Sequence, residues 1–368
     1  MIAHRRVDRY CDLPNGATLD GRVTRFESLN FGSRRVGYAV LGFFLLKTVD
    51  GGETWRYIDV NAPAGFAPRR VFSLGGMRSW VACASTAGSR SGAIPVLVTE
   101  DGGKRWDVGW AGDQNARYGS KICLSFVDER AGWLAATQYT EHGQRGAIFR
   151  TTDAGEHWQP VGESLNVRPQ GMFLGLAHDG YLLAATAEQD RKRAFSVTLE
   201  DGPTKTKSLV GGHSAVVLSL TEAGAKAEPV MQAKCSLYAI SGTDSGLIAL
   251  CGAAGTIVRR DALENTWERV KTGTRADLND IGFSEQAGRS GGLAVGEEGV
   301  ILGSTDEGKT WRRLQHTIGR CGFSAVEMLG VSDAVVTASD AIYLLNVTES
   351  PISRAKHSSQ SGPIWQPQ

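Results

Sequence analysis

Short apolar stretches of four to six residues, separated by Gly, Asp and Asn, run along the chain from Phe26 to Leu345. Val36-Gly37-Tyr38-Ala39-Val40 alternates with the period of two that a strand requires, and the turn residues provide the punctuation. The first unit reads as strands Phe26–Phe31, Val36–Leu41, Phe43–Thr48 and Trp55–Val60. A second runs from Val71-Phe72-Ser73-Leu74 to Trp106, and a third from Ile122–Phe126 through Gly132–Ala136 to Trp158. The fourth offers Met172–Leu176 and Tyr181–Ala185, and the fifth Ser236–Ile240, Leu247–Leu250 and Thr256–Val258 before Trp267. The sixth has Leu278–Phe283, Gly292–Gly296 and Val300–Leu302; the seventh has Phe323–Leu329, Ala334–Val336 and Ile342–Leu345 with no fourth strand. A period of about fifty residues, with strands only, predicts sheets repeated around an axis. A strand from the opposite terminus would complete the last unit and remove an exposed edge, and Arg5–Tyr10 is the candidate.

The units share a turn of the form Ser/Thr-x-Asp-x-Gly-x-x-Trp. It is written with Asp50, Gly52 and Trp55, again with Asp101, Gly103 and Trp106, then with Asp153, Gly155 and Trp158, and finally with Asp306, Gly308 and Trp311. Placed between third and fourth strands, the Asp accepts bonds from turn amides, Gly permits a positive φ, and the Trp buries its ring between units. Calcium is a poor fit, since each turn offers one carboxylate where the ion wants several oxygens. These turns are therefore expected to be structural, with no metal. In the fourth unit Thr221-Glu222-Ala223-Gly224-Ala225-Lys226-Ala227 reads as an eroded copy, with 191–212 as an inserted hairpin; Asp201-Gly202 is the alternative turn.

The repeated turn resembles the Asp-box, or BNR repeat, of β-propellers such as the sialidases. The longer pattern Leu278-Asn279-Asp280-Ile281-Gly282-Phe283, Gly292 to Leu302 and Trp311 is similar to the photosystem II stability/assembly-factor family of seven-bladed propellers. The expected fold is all-β, a seven-bladed β-propeller of four-stranded antiparallel blades closed by an N-terminal strand. It would fill residues 1–349 as a single domain, followed by a flexible Ser-, Pro- and Gln-rich tail at 350–368. Sialidase chemistry would need an Arg triad, an acid/base Asp and a Tyr/Glu pair. The Arg-Ile-Pro strand that resemblance implies is absent, and Ala67-Pro68-Arg69-Arg70 does not replace it.

Composition narrows the remaining classes. Forty basic against 39 acidic residues leave a net charge of +1, which gives no bulk attraction for nucleic acid or membrane surfaces. No run spans a bilayer, the start lacks a secretory apolar segment, and the six scattered cysteines form no CxxC pair, so a reducing cytoplasm is expected. GxSxG, P-loop, GxGxxG and HExxH signatures are missing, and the seven histidines show no ligand spacing. Gly252-Ala253-Ala254-Gly255 is flanked by strands on both sides and reads as a hairpin turn. The expectation is a monomeric non-enzyme without cofactors.

Binding is then expected on the face opposite the boxes. Arg22, Arg70, Arg117, Arg168, Arg275 and Arg320 each stand shortly before a first strand and would ring one channel mouth with positive potential. The plain alternative is that linkers are polar and many basic residues must be distributed. Long loops holding Arg90, then Tyr139, His142 and Arg145, then Arg191 and Arg193 would raise a lip on the same face. The sequence thus predicts a protein-binding scaffold, assembly-factor-like or partner-inhibiting, whose partner presents an acidic surface. A carbohydrate-binding or sialidase-like glycoside hydrolase propeller is the alternative.

Overall fold

A computed structural model describes residues 2–7, 10–11, 26–86, 92–162, 167–174, 180–186, 215–221, 224–228, 236–260, 266–338 and 341–347. Their strands form six four-stranded sheets and one of five strands. In chain order the first sheet holds Phe26–Phe31, Gly37–Leu41, Phe44–Thr48 and Trp55–Ile58. The second holds Phe66–Leu74, Arg78–Ser85, Ile94–Thr99 and Asp107–Ala111, and the third Arg117–Phe126, Gly132–Thr140, Gly143–Thr151 and Gln159–Pro160. Val167–Leu174, Gly180–Thr186, Ala215–Thr221 and Gly224–Glu228 make the fourth; Leu237–Gly242, Ile248–Gly252, Thr256–Arg260 and Trp267–Val270 make the fifth. The sixth comprises Leu278–Gln286, Arg289–Gly296, Ile301–Ser304 and Arg312–Arg313. The last comprises Phe323–Met328, Asp333–Ala338 and Ile342–Asn346, with the N-terminal Ala3–Val7 antiparallel on its outer side.

The first strand of each sheet touches the first strand of the next, and Phe323–Met328 returns to Phe26–Phe31. These inner strands therefore enclose a central channel, and the architecture is an all-β propeller. Its core is divided among the seams. Leu41, Leu46 and Trp55 of the first sheet meet Val335 and Ile342 of the last, and Tyr38, Val40 and Leu45 on its other face meet Val81 and Leu97 of the second. Equivalent clusters fill every following seam round to Val295 and Ile301 of the sixth sheet against Phe323 and Val336 of the last. Second strands such as Gly37–Leu41 and Ile248–Gly252 are buried along their whole length because both faces are covered.

The Asp-box turns join third to fourth strands as expected. Thr48 Oγ1 donates to Asp50 Oδ1 at 2.7 Å while accepting Gly52 N at 2.9 Å, and Asp50 Oδ1 accepts Thr54 N at 2.9 Å. The same three bonds recur around Asp101, Asp153 and Asp306 at 2.8–3.0 Å. Burial alone pushes Asp50, Asp153 and Asp306 upward, but the hydrogen bonds outweigh it and hold each carboxyl below its ordinary value. Trp55, Trp158 and Trp311 each donate Nε1 to the box glycine carbonyl at 3.0 Å and stand edge-on to Phe31, Phe126 and Phe283. In the second box, Trp106 Nε1 is buried without a hydrogen-bond partner.

Inner strands are sheet edges, so their outward N–H groups need partners. Side chains of the preceding sheet supply several. Asn30 Oδ1 accepts Ser73 N at 2.8 Å, Asp280 Oδ2 accepts Val326 N at 2.8 Å, and Glu327 accepts the Phe31 amide. Enclosure in the channel pushes Asp280 up to about 6 and Glu327 up to about 8, the latter further raised by Asp280.

Several expectations need correction. The closing strand is Ala3–Val7 where Arg5–Tyr10 was expected, and Tyr10–Cys11 instead adds to the first sheet as a fifth strand, parallel to Trp55–Arg56. That sheet is accordingly neither four-stranded nor wholly antiparallel. Several inner strands also begin earlier than their apolar stretches, so Arg70, Arg117 and Arg168 lie within strands and not in linkers. The 191–212 hairpin, the Asp201-Gly202 turn and the 350–368 tail lie outside the described residues. The reading of Thr221–Ala227 as an eroded box is also corrected: Thr221 lies opposite Gly224, which puts Gly224–Ala227 in the fourth strand and not in a box turn.

Trp55→Ala is expected to cost about 3–5 kcal/mol in denaturant unfolding, as for other buried aromatic truncations. Trp106→Ala, which removes a half-buried ring with an unpartnered N–H, should cost less. A second expectation concerns pH. Asp280 and Glu327 are both raised on folding, so their contribution is complete below about pH 4 and is lost as pH climbs through their folded values. Stability should therefore fall between pH 5 and pH 8, and Glu327→Gln should flatten that slope. An unchanged slope in chemical denaturation across this range would refute the assignment.

Candidate channel-mouth binding site

Boxes and the turns from first to second strand share one face. Turns from second to third strand, and the links between sheets, share the other. The inner strands all start on this second face, and there the register of every inner strand against its neighbour slips. The slips lie between Phe26 and Ser28, Pro68 and Arg70, Tyr118 and Ile122, Pro169 and Gly171, Leu237 and Ala239, Leu278 and Asp280, and Phe323 and Ala325. A bulge leaves a residue out of the ladder and re-aims its side chain. Glu27, Arg69, Gln170, Tyr238, Asn279 and Ser324 are so released, as is Lys121 with Gly119 and Ser120 in a longer irregularity of the third sheet. The first six and Lys121 line a cavity of about 490 Å³ at the channel mouth.

Neighbouring members of this circle bind one another. Arg69 Nη1 stands 3.2 Å from Glu27 Oε1, and Lys121 Nζ donates to Gln170 Oε1 at 2.8 Å. Tyr238 Oη donates to Asp277 Oδ2 at 3.1 Å, and Asn279 Nδ2 donates to both Glu297 Oε1 and the Phe323 carbonyl at 2.8 Å. Gly252 and Gly296 let the links pack down on the second strands, since a Cβ at Gly296 would lie 1.9 Å from the Asp277 carbonyl. The mouth carries both signs of charge. Arg69, Arg70 and Lys121 come from the second and third sheets, while Asp277, Asp280 and Glu297 come from the sixth and the link into it, across the ring. Exposed Phe43 (53%), on the second-to-third-strand turn of the first sheet, lies over the Arg69 guanidinium with 5.8 Å to the ring centroid. Arg69 is itself only 19% exposed, and its Nε lacks a hydrogen-bond partner. Below the mouth, Arg70 and Asp280 also line a second cavity of about 330 Å³, which ends at Asn30 and Glu327.

Of the arginines expected to encircle the mouth, Arg70 lines the channel. Arg117 is exposed at the start of its strand opposite Tyr139, and Arg168 is half-buried opposite Ala185 with its Nε unpartnered. Arg275 and Arg320 are exposed in links. Arg22, Arg90, Arg191 and Arg193 lie outside the described residues. Tyr139 and Arg145 lie on a hairpin extension of the third sheet whose turn contains exposed His142. Sequence reasoning missed Glu27, Arg69, Lys121, Gln170, Tyr238 and Asn279. Lys121 and Tyr238 directly precede the apolar end of an inner strand, but Glu27, Arg69, Gln170 and Asn279 are followed by polar residues or glycine, and a bulge has no composition of its own. Asp153, Glu156 and His157 bring ligand atoms within 4.8 Å of one another on the third box, where His157 Nδ1 lies 2.8 Å from Asp153 Oδ2.

No protein-family model and no curated protein matches the sequence. Solved structures match over nearly the whole chain. "YCF48 bound to D1 peptide" is 17% identical with a TM-score of 0.59, covering 95% of this chain and 97% of that one. YCF48 from Cyanidioschyzon merolae is also 17% identical, with a TM-score of 0.61 and coverage of 94% and 98%. A streptogramin B lyase matches at 10% identity and a TM-score of 0.62, over 94% of this chain and 98% of that one. The GH74 xyloglucanase from Xanthomonas campestris matches at 12% identity and 0.59, over 94% of this chain and 53% of its own. At these identities the likeness is one of fold, and the chain has the propeller fold of YCF48, a photosystem II assembly factor.

Proposed function

We propose that this chain is a non-enzymatic docking scaffold, a ring of seven blades that captures a protein at the channel mouth opposite its Asp boxes. The five-stranded sheet counts as the first blade. The observation that carries the reading is the mouth itself: a polar circle fixed by bulges on rigid strands, with exposed Phe43 stacked on Arg69 at its rim. Aromatic and arginine side chains anchored together are the usual energetic centre of a protein interface. A partner suited to this mouth places acidic groups against Arg69, Arg70 and Lys121, and basic ones against Asp277 and Glu297 across the channel. This refines the uniformly acidic partner expected from the arginines. The solved complex of YCF48 with a D1 peptide supports peptide or protein capture as a use of this fold. An assembly or partner-inhibiting role follows, in the cytoplasmic setting that suits the free, buried Cys83, Cys123 and Cys251.

The likeness to a xyloglucanase and a lyase keeps one other reading in view, carbohydrate recognition or turnover at the same mouth. The tagged chain and a Phe43→Ala/Arg69→Glu variant should be compared in quantitative affinity purification, with melting temperature as control. The expected outcome is loss of about tenfold or more of the partner with the melting temperature held within a few degrees, since an anchor truncation costs about 2 kcal/mol or more. Equal recovery by both proteins would overturn the mouth as the docking site. Saturable hydrolysis of fluorogenic sialosides or xyloglucan oligosaccharides would overturn the scaffold reading.

A further inference from the structure

The third sheet leaves a longer stretch of outer edge uncovered than the sixth, whose fourth strand is equally short but whose third strand spans only Ile301–Ser304. The third sheet's second and third strands, Gly132–Thr140 and Gly143–Thr151, pair throughout, from Gly132 opposite Thr151 to Thr140 opposite Gly143. Its fourth strand is only Gln159–Pro160, opposite Arg150 and Phe149, with one more bond from Val161 N to the Ile148 carbonyl at 2.9 Å. In the second sheet, by contrast, the fourth strand covers the third from Ile94 to Val98. Backbone groups alternate sides along a strand, so an outward Ile148 carbonyl means that Gly146 and Gln144 also direct N–H and C=O outward. Among the described residues, no strand pairs with that stretch of edge.

A cavity of about 360 Å³ adjoins the edge, beneath the link at Gly112 and Asp113. Tyr118, Phe149, Trp158 and Val161 give it apolar walls, with Gln138 and Ala147 at its inner side. Along the third strand Arg145, Ala147 and Phe149 share the face of Gln138, Ala136 and Leu134, which packs toward the second sheet. A strand added antiparallel, in the register of Pro160 opposite Phe149, would place the residue opposite Arg145 on this face, over the cavity.

We propose that this edge takes up an extended segment of a partner protein as an added strand. Gln144 and Gly146 would pair with its backbone, and one large apolar side chain would enter the Tyr118–Phe149–Trp158 cavity. Main-chain bonds would supply affinity and the cavity would supply selectivity, the division of labour in strand addition. The occupant is an extended peptide because the unpaired groups repeat at the spacing of a strand. The molecule already completes two outer edges in this way, with Ala3–Val7 on the last sheet and Tyr10–Cys11 on the first. This surface is on the outer rim, and its test is independent of the channel mouth.

The probes are blocked heptapeptides, Thr-Thr-Val-X-Val-Thr-Thr, with Leu, Phe or Gly at X. In the free protein, hydrogen exchange followed by NMR should be faster at the Gln144 and Gly146 amides than at Arg145 and Ala147, which face the second strand. The Leu and Phe peptides should slow both outward amides and bind about tenfold or more tightly relative to the Gly peptide, the worth of burying one large side chain. Gln144→Pro removes one outward donor without touching the inward ladder and should abolish this protection. Ala147→Leu, which fills the cavity, should erase the preference for Leu and Phe while leaving the melting temperature near that of the parent. Slow exchange at both outward amides in the free protein overturns the proposal. So does the absence of any effect on them at millimolar peptide, or protection that survives both substitutions.

Discussion

Every sheet in this molecule buries both of its faces against neighbours, and that requirement organises the rest. A single four-stranded sheet with two apolar faces could not stand in water. Seams of packed side chains, running round to Phe26 and Trp55 against Val335 and Ile342, satisfy both faces only if the circle is complete. Closure creates its own difficulty, because each inner strand has an unpaired side with no further strand to cover it. Asn30, Asp280 and Glu327 answer it with acceptors passed from one sheet to the next. The carboxylic acids in the channel are therefore intelligible as structural acceptors before any chemistry is asked of them.

The distinction between scaffold and site follows from the same geometry. The Asp boxes are the most repeated chemistry in the chain, yet their polar atoms are consumed within each turn and their indoles within each seam. The mouth behaves differently. There the inner ladders slip in every sheet, and side chains are released toward common space. Their mutual bonds, such as Glu27 with Arg69 and Lys121 with Gln170, hold them in place without withdrawing them from the cavity.

Much of this was legible in the sequence. Apolar runs placed Phe26–Phe31 and several second and third strands, such as Gly37–Leu41 and Ile342–Asn346, within a residue, since burial on both faces leaves a strong signal. The Asp-box placed the turns, and through them the two faces. Strand starts at the mouth were not legible, because Phe66–Arg70, Arg117–Lys121 and Val167–Gln170 carry polar residues that read as linkers. A ladder bond needs no apolar side chain, so the pairing extends beyond the hydrophobic pattern. That is why Arg70 turned up inside the channel while Arg275 and Arg320 stayed in links. The fifth strand at Tyr10–Cys11 was equally hidden, being only two residues long.

The N-terminal segment also sets an order of events. Ala3–Val7 completes the last sheet, and a few residues later Tyr10–Cys11 reaches the first, so one short stretch clasps both sides of the final seam. Its partner Ile342–Asn346 lies more than three hundred residues along the chain, and loop closure of that span precedes any reward from contact. During synthesis the intervening sheets can pair locally as they emerge, while Ala3–Val7 must wait for Ile342–Asn346, made more than three hundred residues later. Until then both flanks of the seam present bare edges, and the protein is most exposed to misassociation at the moment its ring is nearly complete.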